Sequence, residues 1–243
     1  MPADTTPPPD RLPDWGPRYK ETPADPYSPS ATSIAEPFNT ATAALFVVIV
    51  IGWAWRVRGR FGRFPFLSSC LVVLLAGGVG GTLYHALRTS PVFFLLDLIP
   101  ILLLGAAGAI YLAVRLGRQY GPRRVVLISI GVIAATAFVN GALRLLPNTL
   151  GTLQVNLSYA TQAVLILIPL GVTLVRTRFR YAGFVWASVA CFAVAWFCRL
   201  VDLHSPLPMG THWLWHTFGA LCTQFVIEYF YRLERDANES IIS

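Results

Sequence analysis

Charge is what this sequence has least of. Asp, Glu, Lys and Arg together make up 13% of 243 residues while 55% are hydrophobic, and a soluble domain carries about 25% charge. So little charge excludes an ordinary soluble globule and points to a chain whose solvent is lipid. Lysine occurs once, Lys20, against 18 arginines. The net charge of +7 is scattered over short segments, without the single basic face that nucleic-acid binding requires. The four cysteines, Cys70, Cys191, Cys198 and Cys222, form no CxxC pair. That excludes a thiolate metal site and a disulfide framework and leaves them as packing residues. No HExxH occurs, and the glycine runs "GGVGG" (77–81) and "GAAGA" (105–109) follow no strand, so they read as close helix contacts, not nucleotide loops.

What is present is a series of uncharged runs, at 37–55, 64–87, 98–114, 125–143, 145–175, 181–198 and 203–227. With its flanks each supplies the roughly 20 residues that a helix needs to cross a bilayer. The expected fold is an all-α, seven-transmembrane helix bundle over 36–233, preceded by an irregular Pro-rich arm (1–35) and followed by a short cytoplasmic tail (234–243). No basic segment followed by an apolar core occurs in the arm, so the first span is expected to direct its own insertion. Arg56, Arg58, Arg60 and Arg63 follow the first span, Arg115, Arg118, Arg123 and Arg124 the third, and Arg176, Arg178 and Arg180 the fifth. Loops dense in arginine stay in the cytoplasm, which puts the N-terminus outside and the C-terminus inside. Arg88, Arg144 and Arg199 fall on the opposite side. Six of the tryptophans lie near span ends, where indoles collect.

With that orientation, the polar residues gather at one depth. His85 closes the second span, Asp97 lies about two turns into the third, His212 and His216 open the seventh, and Glu36 and Asn39 precede the first. A charge near a helix centre costs about 2.5–3.5 kcal/mol, so each retained group asks for a partner. His212 and His216, in "THWLWHTFGALC", are one turn apart on one face and can reach one point. With His85 they make three imidazoles, the ligand set of a catalytic zinc site with one open position. Asp97 is then the candidate general base, or a partner to a ligand histidine. Glu36 also suits a cap on the first span, with Asn39 beside it. Arg199 and Asp202, three apart, are expected to pair, with His204 an interfacial bystander. Glu228 is expected to reach water or a loop arginine.

The blocks "AEPFNT", the glycine run ending in His85, "DLIPILLL" and "PLPMGTHWLWHTFGAL" together resemble the alkaline ceramidase family, particularly its bacterial members. That family shares a superfamily of intramembrane zinc proteins with the adiponectin and progestin receptors. The resemblance implies zinc held by His85, His212 and His216, Asp97 at the catalytic acidic position, and hydrolysis of ceramide-type N-acyl sphingoid lipids taken from the bilayer. It also implies a bacterial inner-membrane protein. Two positions depart from the family. Gly81 stands where the family has a serine one turn before the first histidine, with Thr82 about 100° away around the helix and Tyr84 as another possible donor. In the arm, Asp14, Trp15 and Glu36 match a calcium site, but Pro17 and Tyr19 stand where oxygen ligands would be, leaving Glu21 and Asp25 to contribute.

Three other readings stand beside it: a zinc-containing lipid receptor with little turnover, a haem protein using two of the histidines, and a transporter. The last lacks the paired interruptions of inverted repeats. The sequence carries no signature of an oligomeric state.

Overall fold

The computed structural model describes residues 12, 14–23, 34–117, 121–143, 145 and 151–242. Arg11, Asp25, Arg118 and Arg144 lie outside the described residues. The chain is an all-α membrane bundle, about 81% helical with no strand among the described residues. Its helices are α1 (Pro37–Ala43), α2 (Leu45–Arg56), α3 (Pro65–Leu87), α4 (Pro91–Gly117), α5 (Pro122–Leu143), α6 (Gly151–Arg176), α7 (Ala182–Val201) and α8 (His212–Ile242). Each uncharged run of the sequence thus overlaps one helix, or α1 and α2 in succession. Among the described residues, five stretches are long and apolar enough to cross a membrane: 37–56, 65–87, 91–117, 159–176 and 182–204. α8 runs without a break through 234–242, the stretch expected as a tail.

Local chemistry explains several boundaries. Pro65 starts α3 and Pro37 starts α1, where a missing N–H costs nothing and the fixed φ suits a helix. The step between α1 and α2 follows Thr42, whose hydroxyl donates to the carbonyl oxygens of Phe38 and Asn39, a local bond that competes with the regular ladder.

The chain divides into two compact units. One holds residues up to 18 together with 101–180, in which α5 packs on α6. The other holds 19–100 and 181–243, in which α7 packs along α8, and α3 packs on α1, α2 and α8. Within this second unit the glycines of α3 let neighbours come close. A Cβ added at Gly80 would collide with the Cβ and backbone of Leu96 on α4. At the far end of α3 the Glu234 carboxylate of α8 accepts the N–H groups of Phe66 and Leu67, both at 3.0 Å, so one acid satisfies two of the orphan donors at a helix start. Nearby, Glu228 accepts from Arg56 at 2.6 Å and from Arg232 at 2.7 Å, the arginine contact expected for it.

Candidate metal centre

α3 and α8 bring three imidazoles together inside the second unit. One ring nitrogen from each of His85, His212 and His216 lies within 4.8 Å of the others, and all three side chains are buried. Nε2 of His85 and Nε2 of His216 face each other at 3.1 Å. Nitrogens bound to one ion at about 2.0–2.1 Å in tetrahedral geometry sit about 3.3–3.4 Å apart, close to that separation. Nδ1 of His212 is buried without a hydrogen-bond partner. A buried ring nitrogen left without a partner is costly unless something binds it. The three nitrogens therefore fit a metal ion.

Behind the histidines the structure supplies support that sequence spacing did not reveal. The Glu36 carboxylate touches Nδ1 of His85 at 2.5 Å through Oε2, Arg88 at 2.8 Å through Oε1, the Thr22 hydroxyl at 2.5 Å and the Asn39 amide at 3.1 Å. Accepting from Nδ1–H fixes the tautomer that leaves the Nε2 lone pair of His85 free for an ion. Burial pushes the Glu36 carboxyl up, but the His85 bond and charge, Arg88 and Thr22 together outweigh it and hold the group at about 2. Arg88 is wholly buried and sits in the left-handed region with φ 51°. A non-glycine residue there costs about 1–3 kcal/mol, and here the reward is a guanidinium aimed at Glu36.

Glu36 stands at the N-cap of α1 but makes no cap bond with its side chain. Glu21 caps instead, accepting the N–H of Phe38 at 2.6 Å and of Asn39 at 2.9 Å. Burial leaves the Glu21 carboxyl raised despite these bonds.

The start of α8 is held in the same manner. Asp202, which the sequence pairs with Arg199, uses its carboxylate on the backbone: it accepts N–H groups of Thr211 at 2.7 Å, His212 at 2.8 Å and Lys20 at 2.9 Å. Gly210, with φ 69°, makes the tight turn into the helix, and a Cβ there would strike Asp202 and Lys20. His204 is exposed, as a bystander would be.

Asp97 reaches α3 at Gly81. A Cβ built on Gly81 would lie 2.5 Å from Oδ1 of Asp97, so the carboxylate fills the space that a side chain at 81 would take. Gly81 is four residues before His85 on one helix face, which puts the acid beside the histidines. Thr82 donates its hydroxyl to the Gly78 carbonyl at 2.7 Å and is spent on its own helix. Tyr84 is fully buried, meets the His85 ring edge-on at 4.7 Å and lies under the Arg88 guanidinium at 4.5 Å.

The arm residue Tyr19 was expected only as a gap in a calcium site. Its ring stacks on His212, centroids 3.7 Å apart, and lies 5.4 Å from that of His85. Burial pushes its phenol up to about 12, against the pull of Arg199 and Arg88. The residues expected for calcium do not fit it. All the Glu36 and Glu21 bonds above use oxygens that a hard cation would need in a shell of six to eight. In the arm an Asp14 oxygen accepts the Gly16 N–H at 3.0 Å, and Trp15 is exposed.

No protein-family model matches this chain, and no curated protein matches it.

Proposed function

We propose that this protein is an intramembrane, zinc-dependent amide hydrolase acting on ceramide-type N-acyl sphingoid lipids, with seven crossings and its histidine centre in the outer half of the bilayer. The observation that carries the reading is the buried convergence of His85, His212 and His216, one of them backed by a carboxylate. Three neutral nitrogens with no thiolate suit a zinc ion that keeps an open position for chemistry. When bound, such an ion would polarise an amide carbonyl and activate water near neutral pH.

The chain's own residues supply the rest. Glu36 and Asp202 hold His85 and the first turn of α8 in place, so the ligand nitrogens are preorganised. Asp97, beside His85 on the neighbouring helix, accepts a proton from the attacking water and returns one to the leaving amine. The apolar helices give a bilayer lipid direct access to the protein, which suits a long acyl chain better than a water-soluble amide.

Fatty-acid release from a panel of N-acyl lipids by detergent-purified protein tests this, with His216→Ala as control. Zinc near one equivalent and release abolished in His216→Ala is the expected result. Zinc without release from any member of the panel would favour the lipid-receptor reading, for which Gly81 in place of a serine is the supporting feature. A haem band and no zinc would remove both.

A further inference from the structure

A site that stabilises a developing negative charge on a carbonyl oxygen needs a hydrogen-bond donor within reach. The structure removes the sources at positions 81 and 82. Position 81 has no side chain and the Asp97 carboxylate occupies its space, and Thr82 gives its proton to Gly78. We propose that Tyr19 of the arm is a catalytic residue of the histidine site, its phenol O–H donating a hydrogen bond to the carbonyl oxygen of the bound amide. The identity of that oxygen rests on the hydrolase reading; the place of Tyr19 rests on geometry alone.

That geometry has three parts. The Tyr19 ring is 7% exposed and lies flat on His212, with planes 18° apart. Among the described residues no hydrogen bond engages its hydroxyl, although its backbone N–H donates to the Thr22 hydroxyl at 2.9 Å. The hydroxyl itself is not among the fully buried polar atoms left without a partner, so it opens onto accessible space, and a substrate oxygen there would be its partner. Finally, the residues after Tyr19 fasten it by separate bonds: Lys20 N–H to Asp202, the Glu21 carboxylate to the start of α1, and the Thr22 hydroxyl to Glu36. Each of these anchors also supports a piece of the histidine site. A segment tied down by three separate bonds just past Tyr19 presents its side chain at a fixed place, as preorganised donors require. The O–H donates without giving up its proton, so the Asp97 proton account above is unchanged.

Tyr19→Phe in the full-length protein is the test, because it keeps the stacked ring and removes only the hydroxyl. Metal content and Tm should match the parent. In the Co2+-substituted protein, titration with an alkyl hydroxamate followed by visible absorption should show affinity weakened about tenfold or more. With the amide substrate, kcat should fall by ~10² to 10³ with little change in KM. Hydroxamate affinity and kcat both within about twofold of the parent would overturn the proposal, and so would loss of metal from Tyr19→Phe, which would make the residue a brace. If the parent releases no fatty acid, the hydrolase reading fails, while the hydroxamate comparison still decides whether Tyr19 donates into the site.

Discussion

Nδ1 of His85 and Oε2 of Glu36 are 2.5 Å apart, and both side chains are fully buried. The same carboxylate holds the buried Arg88 guanidinium, so one acid serves an imidazole and a cation together. Glu36→Gln keeps the shape and removes the charge. Metal affinity, measured by competition with a chromophoric chelator, should fall about 10- to 100-fold. Tm should fall as well, because Arg88 is left buried without its counter-charge, a loss of about 3–5 kcal/mol for a broken buried pair. Glu36→Gln combined with Arg88→Met should recover much of the Tm and none of the metal affinity. Equal recovery of both would show that Glu36 acts only through Arg88.

Calcium should not stabilise this protein. A site filled to one hundred times its Kd adds about 2.7 kcal/mol, a readily seen rise in Tm, yet the oxygens of Glu36 and Glu21 are committed elsewhere. Thermal scans with zinc held constant, with millimolar calcium or with a calcium-selective chelator, should coincide. A rise in Tm on adding calcium would contradict the misfit argued above.

Gly81→Ala places a methyl group on the Asp97 carboxylate. The acid sits at the end of a short side chain and can turn away, so Tm should barely move. Its displacement from beside His85 should still lower turnover, since a shift of about 1 Å in a reacting group costs about 100-fold. Gly81→Ser should recover part of that loss, because a hydroxyl at 81 can bond to the displaced acid. Turnover unchanged in Gly81→Ala would separate Asp97 from the chemistry.

Glu234→Ala tests the opposite end of the molecule. Losing the bonds to Phe66 and Leu67 uncaps α3 and should cost about 1–2 kcal/mol. Metal stoichiometry should stay at the parent value, since the histidines are at the other ends of their helices. A variant that lost metal in proportion to stability would show that the two ends unfold as one.

The helices and the three histidines were legible because both depend on spacing along one chain. Uncharged runs mark helices by length alone, and His212 and His216 share a face whatever surrounds them. The expectation that His85 and Asp97 lie at the same end of the bundle agrees with the histidine cluster and with the Asp97 carboxylate against Gly81. The supporting residues were not legible, because their roles depend on which segments meet. Thr22 and Glu36 are 14 residues apart, and Lys20 and Asp202 are 182 apart. Arg88 looked like a loop arginine because no pattern announces a buried arginine in the left-handed region. Asp202 looked like a partner for Arg199 because i,i+3 spacing is visible and a cap on a helix nine residues away is not. Tyr19 carried a signal only as an unexpected residue in the arm.

α8 grips α3 at both extremities: Glu234 clasps its first turn, and His212 and His216 meet His85 in its last. Two rods pinned top and bottom cannot slide past each other, since a slip of one residue, about 1.5 Å, would spoil both fastenings at once. The gauge between the histidines is therefore set by the length of the two rods themselves.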